Sequence, residues 1–382
     1  MKFIHDTMSL CNHCYRHIPG IVYEKDDKIW ITKKCQEHGE QQELVEIDPE
    51  FYYNITKSNN TEISSLMFES TNRCNLTCPH CYQLPDNKSI DKSSDLLLSQ
   101  VDSYPAGLLP MIAGAEPTMH KDIIGLAHSL ADKYGRTRIL TNGLKFSNKS
   151  FTRKLLSRPE IIPEIGLNHW SYQGKKAHNK QLEAIQNIKD ISRVGDIGYT
   201  VESFDHLPEI FEEIQTLADN KVNIFRIRFG SFIGRSSDQE RNYLSKTFKS
   251  IKNLLGNNFK PLPFADDNPY HLMYSWGDIK LRIIQWPDVR NIDMEELNTG
   301  PWANFHNGPI TNFVHQVIMR DAFINNKLKK LDDCPEYYHI KLGSELSKPE
   351  NKHWKEGWNG PVKFTEFDYT IKDPKKRPKK FL

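Results

Sequence analysis

The sequence feature that most constrains the fold is a regular alternation of strand-like and helix-like segments between residues 65 and 230. The helix-like segments repeat apolar residues at helical spacing, and two of them end at a glycine, Gly135 and Gly195. Strands that alternate with helices predict a parallel sheet built from right-handed crossover units, either an open sheet or a partial barrel. The strand-like runs are 65–71, 108–114, 137–143, 164–170, 198–203 and 223–230, and the helix-like runs are 121–135, 178–195, 206–220 and 238–257.

The rest of the 382-residue chain divides into a small part before this alternation and a longer part after it. Residues 1–57 predict a compact module, and the polar run KSNNTE that follows is typical of a linker. The expected core covers residues 58–260. Residues 261–382 are expected to form an irregular extension, with one strand-like segment at 277–288 and a strongly basic tail at 372–382.

Seven cysteines, six of them within the first 81 residues, point to metal binding. Their odd number argues against a disulfide framework. The remaining cysteine, Cys334, cannot build a metal cluster alone. We expect it either to be structural or to act on the substrate, as a hydrogen-atom donor or by forming an adduct. His306 lies in a Gly/Pro-rich segment (300–309) that is either an ordinary loop or one that closes over the active site.

Three cysteines, Cys74, Cys78 and Cys81, follow the first strand-like run with the spacing C-x3-C-x2-C. Thiolates are soft ligands that suit iron–sulfur clusters. Three of them on one loop bind three corners of a cubane and leave the fourth iron open to a substrate. The alternatives are a zinc knuckle or a chance clustering.

A second set of candidate ligands lies near the N-terminus, where Cys11-x2-Cys14 and Cys35-x2-His38 are separated by 20 residues. This Cys3His spacing predicts a tetrahedral site, with zinc as a closed structural ion or, alternatively, a mononuclear iron. His13 and His17 compete with His38 for the histidine position. The other explanation is that these residues are ordinary small buried side chains.

The central cysteine motif resembles that of the radical S-adenosylmethionine (SAM) superfamily, and the resemblance covers about residues 62–235. It implies a partial (β/α)6 barrel with a 4Fe–4S cluster at Cys74, Cys78 and Cys81. It also implies that the open iron binds the amino and carboxylate groups of SAM. One electron from the cluster then cleaves SAM to methionine and a 5′-deoxyadenosyl radical, which abstracts hydrogen from a substrate. An electron donor such as flavodoxin or ferredoxin is expected as a partner.

Further positions match the family one by one. The turn Ala113-Gly114-Ala115-Glu116-Pro117 stands where the family has a Gly-Gly-Glu-Pro-like turn, although alanine replaces the second glycine. The resemblance implies that Glu116 accepts from the SAM ammonium, that Asn142 contacts the ribose and that His80 lies beside the adenine. Each residue alone is weak support, but all except His80 fall at the ends of successive strands, where parallel α/β folds bind ligands. The cofactor-binding residues implied are His80, Gly114, Glu116, Asn142, Ser171, Glu202 and Arg228, the last for a carboxylate of SAM or of the substrate.

The N-terminal module resembles that of a group of radical SAM proteins that includes archaeal pterin-methylating and lipid-coupling enzymes. The resemblance implies a zinc-ribbon-like module in front of the core, but it does not select a substrate, and those enzymes carry further cysteines. The matching residues are Cys11, Cys14, Lys33, Cys35, His38 and Gly39.

Charge and hydropathy exclude few partners. With 51 Lys and Arg against 49 Asp and Glu, the net charge of +2 gives no general argument for a nucleic acid or a membrane as partner. No apolar run approaches the roughly 18 residues that span a bilayer, and the first residues lack an apolar signal core, so we expect a cytoplasmic protein.

The leading hypothesis is therefore an enzyme that cleaves SAM reductively and abstracts hydrogen, for a rearrangement, a carbon–carbon coupling or an oxidation. An alternative is modification of a nucleic-acid base, because of the basic tail and the zinc-like module. A third is a non-catalytic metal-binding adaptor. Glu116, Asn142 and the complete cysteine triad argue against the adaptor.

Overall fold

A computed structural model describes residues 1–13, 17–55, 65–81, 85, 87–88, 90–102, 109–219, 221–229, 243–262 and 273–285. Cys14, His306, Cys334 and the tail at 372–382 lie outside the described residues, so their predicted roles stay predictions. Within the described ranges, no helix has both the length and the apolar character needed to cross a membrane.

The N-terminal module is a four-stranded antiparallel sheet in the order β1-β2-β3-β4. Its hairpin between β2 and β3 turns at Asp26 and Asp27, both with positive φ, which short polar side chains tolerate. The small core consists of Val22, Ile29, Ile31, Val45 and Tyr52. The elements are β1 Lys2–Leu10, β2 His17–Lys25, β3 Lys28–Cys35, β4 Gly39–Glu46 and the following helix α1 Pro49–Ile55.

The second sheet confirms the predicted α/β fold, since strands β5 to β10 run parallel in sequence order. Strand β13 adds to β10 in parallel, and β12 and β11 continue antiparallel at that edge. The strands are β5 Ser65–Thr71, β6 Leu109–Gly114, β7 Thr137–Thr141, β8 Ile161–Gly166, β9 Ile197–Val201, β10 Ile224–Phe229, β11 Phe259–Pro261, β12 Met273–Trp276 and β13 Ile279–Gln285. The helices are α2 Ser94–Asp102, α3 Ile123–Tyr134, α4 Lys149–Leu155, α5 Lys175–Ile191, α6 Leu207–Leu217 and α7 Leu244–Leu255.

The two faces of this sheet have different chemistry, because successive side chains of a strand point to opposite faces. Apolar residues on one face, such as Ile139 and Ile165, belong to the main hydrophobic core. The charged residues that alternate with them form buried ion pairs. The Arg138 guanidinium lies 2.8 Å from a carboxylate oxygen of Glu164, and Asp196 lies 3.2 Å from Arg226 and from Arg282.

The predicted fourth strand was misplaced. The expected run was 164–170, whereas β8 covers Ile161–Gly166. The chain leaves the sheet because Asn168 adopts a φ of +59°, and its side-chain Oδ1 accepts a hydrogen bond from the backbone N–H of Thr200 on the neighbouring strand. A short 3-10 turn, Trp170–Tyr172, follows and carries polar residues to the strand-end edge.

The N-terminal module packs against helix α7 of the core. The buried Glu46 carboxylate accepts hydrogen bonds from the Ser245 hydroxyl (2.6 Å) and from the Ser245 backbone N–H (3.2 Å). The rings of Phe51 and Phe248 lie 5.5 Å apart, and Lys249 forms an ion pair with Asp48 at 2.7 Å. The buried pair should contribute more to stability than the exposed one, because its donors have no water to replace the carboxylate.

We predict that Glu46→Ala lowers the free energy of unfolding by about 1–3 kcal/mol, since two Ser245 donors lose their acceptor in the interior. The matched control is Lys249→Ala, which removes an ion pair whose lysine is 64% exposed and should cost less than about 1 kcal/mol. Urea unfolding followed by circular dichroism measures both, and equal effects of the two substitutions would contradict the prediction.

Candidate functional site

The three cysteines of the central motif lie on one loop directly after β5, at the carboxyl edge of the parallel strands. None of the three forms a disulfide bond and all are partly exposed, and the Cys81 backbone N–H donates to the Cys78 carbonyl at 3.2 Å. A cavity of about 350 Å³ opens beside Cys74. Its other lining residues are Asn75, Leu76, Thr77, Pro85, Asn87, Tyr172 and Gln173.

The donor set of this loop fits an iron–sulfur cluster. Burial, opposed by the Leu76 backbone N–H and reinforced by the Glu116 charge, raises the pKa of the Cys74 thiol to about 12. At neutral pH such a thiol becomes a thiolate only when a cation binds it, as iron would.

An Arg–Asp pair that the sequence analysis missed anchors this loop. Arg73, which precedes the first cysteine, donates to both Asp91 oxygens, at 3.1 and 2.5 Å. Asp91 also accepts from the Thr71 hydroxyl (2.7 Å) and the Lys121 backbone N–H (3.0 Å). Burial alone would raise the pKa of Asp91, but these donors outweigh it and hold the pKa below its usual range. Only the position of Arg73 next to the cysteine motif could have indicated the pair.

The turn after β6 fits closely against the start of the cysteine loop. Gly114 has a φ of +123°, and a Cβ there would lie 2.4 Å from the Thr71 carbonyl oxygen, so only glycine fits. The next backbone N–H groups, of Ala115 and Glu116, donate to the carbonyls of Thr71 and Arg73 at 3.0 Å each. The alanine that replaces the family's second glycine therefore does not prevent this close approach.

Glu116 is fully buried, and its carboxylate joins the ends of two strands. One oxygen accepts from the Thr118 N–H (3.0 Å), the Thr118 hydroxyl (2.5 Å) and the Thr141 hydroxyl (2.6 Å). The other oxygen accepts from the Asn142 backbone N–H at 2.7 Å. Burial raises the pKa of Glu116, although these donors oppose the rise. Its predicted contact with the SAM ammonium remains a prediction, since the protein itself supplies four donors to the carboxylate.

Asn142 is brought next to the cysteine loop. Its side-chain amide nitrogen lies 2.7 Å from Asn75 Oδ1 and 3.9 Å from the Cys74 sulfur. The Gln181 side-chain amide donates to the Asn142 carbonyl at 2.6 Å and thus stabilises the turn after β7.

His80 and Glu202, both predicted from the sequence, are in contact although 122 residues separate them. His80 Nδ1 lies 3.2 Å from Glu202 Oε1, and burial lowers the pKa of His80 despite this carboxylate. The Tyr172 ring packs edge-on against His80, with 5.5 Å between centroids. The Tyr172 hydroxyl accepts from the Glu202 N–H at 2.9 Å and shares a 3.0 Å hydrogen bond with His206. Sequence reasoning missed Tyr172 and His206, because neither belongs to a recognisable motif.

The remaining two predicted residues have partners within the protein. Ser171 is exposed, and its hydroxyl lies 2.7 Å from His169 Nδ1. Arg228 donates to the Thr200 hydroxyl at 2.7 and 3.3 Å. Both residues lie beyond or near strand ends, and their predicted contacts with SAM stay predictions.

The N-terminal ligands also come together. Within the described residues, Cys11, Cys35 and His38 form a group whose ligand atoms all lie within 4.8 Å of one another. His38 Nδ1 lies 3.6 Å from the Cys11 sulfur and 3.5 Å from the Cys35 sulfur. The Gln41 amide donates to the buried Cys11 sulfur at 3.2 Å. Two thiols and an imidazole suit zinc. Among the described residues, His38 is the histidine that lies within ligand distance of both cysteines. His13 lies alongside, its ring 5.1 Å from that of His38.

Family models match both parts of the chain. Residues 68–219 match the model of the radical SAM superfamily, and residues 3–47 match that of the HMPTM N-terminal zinc ribbon domain. The chain therefore contains a radical SAM domain that follows a zinc ribbon. Members of this superfamily are enzymes that use a 4Fe–4S cluster and SAM, so the domain implies these two cofactors. The zinc ribbon adds a metal-binding module.

Individual relatives of the chain are distant. The chain is 29% identical over 185 residues to 7,8-dihydro-6-hydroxymethylpterin dimethyltransferase of Methanocaldococcus jannaschii. The aligned residues cover 39% of this chain and 36% of that protein. The chain is 23% identical over 178 residues to PqqA peptide cyclase of Granulibacter bethesdensis, covering 43% and 47%. The chain thus spans less than half the length of these relatives.

Among solved structures, Streptococcus suis SuiB is similar with 14% identity and a TM-score of 0.41, covering 72% of this chain and 81% of that one. A likeness of this degree carries no argument about the substrate.

We predict that the protein binds one metal ion at Cys11, Cys35 and His38 and that the variant Cys11→Ala/Cys35→Ala loses it. The variant should melt at a lower temperature, because closed sites of this kind stabilise folding. The matched control is His13→Ala, which removes the neighbouring imidazole and should keep the ion. Metal analysis and thermal melting check the prediction, which is wrong if the double variant retains the ion or if the wild type binds none.

Proposed function

We propose that Cys74, Cys78 and Cys81 hold the 4Fe–4S cluster and that the protein cleaves SAM reductively to act on a further substrate. The observation that carries this proposal is the position of the three thiols on one loop at the carboxyl edge of the parallel strands, with a cavity beside Cys74. The chemistry that such a cluster supplies when bound is one-electron cleavage of SAM to methionine and a 5′-deoxyadenosyl radical, which abstracts hydrogen.

The residues of the chain bind and orient SAM in this proposal. Gly114 lets the backbone come close to the cysteine loop, and Asn142 presents its amide next to Cys74. His80 is held by Glu202 and packs against Tyr172, and in this proposal it lies beside the adenine. The full proposed set is His80, Gly114, Glu116, Asn142, Ser171, Glu202 and Arg228, with flavodoxin or ferredoxin as electron donor.

Removing the cysteine ligands tests the proposal. After anaerobic reconstitution, the wild type should hold about four irons at this loop and release 5′-deoxyadenosine from SAM in the presence of a reductant. The triple variant Cys74→Ala/Cys78→Ala/Cys81→Ala should lose both the cluster absorbance and the release. Cys11→Ala/Cys35→Ala is the matched control and should retain both. Undiminished release by the triple variant would refute the assignment.

We propose a pterin-like heterocycle as the substrate class. The support is twofold, since the ribbon matches the HMPTM family and a relative of the core is a pterin dimethyltransferase. The chain covers only 36% of that relative, so the reaction itself is a separate question. No comparison favours the nucleic-acid or the adaptor hypothesis.

We expect 7,8-dihydro-6-hydroxymethylpterin to increase 5′-deoxyadenosine release and to be consumed in the reconstituted reaction, as measured by mass spectrometry. Guanosine, which shares a fused pyrimidine ring but is not a pterin, serves as the control compound. Equal release with the pterin, with guanosine and with neither would contradict this substrate class without affecting the cluster assignment.

A further inference from the structure

The amide nitrogen of Asn142 has two hydrogens and two acceptors. One acceptor is Asn75 Oδ1 at 2.7 Å, and the other is the Cys74 sulfur at 3.9 Å. Sulfur is a large, soft acceptor, so its hydrogen bonds are longer than those to oxygen. The geometry therefore permits one N–H group to point at Asn75 and the other at the sulfur.

The orientation of this amide is determined by its surroundings. The Leu144 backbone N–H donates to Asn142 Oδ1 at 3.0 Å. Because only the amide oxygen can accept this hydrogen bond, the oxygen faces Leu144 and the nitrogen faces the cysteine loop. The Asn142 backbone is held on both sides, because Glu116 accepts from its N–H at 2.7 Å and Gln181 donates to its carbonyl at 2.6 Å. Glu116 and Gln181 are both 0% exposed, so the amide is held by a rigid, buried support.

A donor at this position acts on the charge of a bound cluster. Reduction adds negative charge, part of which resides on the ligand sulfurs, and a hydrogen bond to a sulfur stabilises the reduced state more than the oxidised one. Hydrogen bonds to cluster sulfurs are among the factors that determine the reduction potential.

We propose that the Asn142 side-chain amide donates a hydrogen bond to the Cys74 thiolate and thereby raises the reduction potential of the cluster. This proposal rests on the proposed role of Cys74 as a cluster ligand. Asn142 then tunes the ease with which an external one-electron donor reduces the enzyme, independently of any contact with SAM. Glu116 and Gln181 are positioning residues that hold the amide in place.

The test is a redox titration of the reconstituted holoenzyme without SAM, followed by electron paramagnetic resonance. Asn142→Leu keeps the number and branching of the side-chain heavy atoms but has no donor, so its midpoint potential should shift to more negative values than that of the wild type. Asn87→Ala is the matched control. It removes the 3.0 Å hydrogen bond that Asn87 Oδ1 accepts from the Cys74 backbone N–H, but it removes no donor to the sulfur, so the potential should not change.

The outcomes separate the inference from the proposed function. Four irons per chain with the same midpoint potential in wild type and Asn142→Leu would overturn the inference and leave the cluster assignment intact. A wild type that assembles no cluster at Cys74 would overturn both. If Asn142→Leu does not assemble the cluster, Asn142→Ala provides the same donor-free comparison, and an unshifted potential in it overturns the inference.

Discussion

The buried carboxylate of Glu116 is the contact on which the arrangement of the site depends. A carboxylate without solvent is costly unless it is hydrogen-bonded, and here four donors from Thr118, Thr141 and Asn142 offset that cost. Because these donors come from the turn after β6 and the end of β7, Glu116 fixes two strand ends relative to each other. Its backbone N–H donates to the Arg73 carbonyl, which adds the cysteine loop to the same unit.

A second anchor holds the same loop from the other side. Asp91 accepts two hydrogen bonds from Arg73, and the Asp91 side chain is only 3% exposed, so the residue before the first cysteine has little freedom. A cysteine loop that is already held in place loses less conformational entropy when a cluster binds to it. The zinc ribbon is joined to the core by another buried carboxylate, that of Glu46, which accepts two hydrogen bonds from Ser245.

Some parts of the site could be predicted from the sequence, and others could not. The cysteine triad and the ribbon ligands Cys11, Cys35 and His38 were predicted because each ligand pair is close in sequence, and the structure brings the ribbon ligands together. Glu116 was predicted as a ligand for the SAM ammonium, but its position alone could not indicate that Thr141 and Asn142 would bind both of its oxygens. The misplaced strand β8 has a similar cause, because the left-handed Asn168 is stabilised by a neighbouring strand.

The sequence by itself determined the local features: the alternation of strands and helices, the spacing of the cysteines and the glycine at position 114. These depend on periodicity and on residues a few positions apart, which a sequence shows directly. Only the tertiary structure decided the pairs Arg73–Asp91, His80–Glu202 and Glu46–Ser245, which are 18, 122 and 199 residues apart. Such pairs depend on strand register and on the packing of helices against the sheet, and no local pattern of residues encodes them.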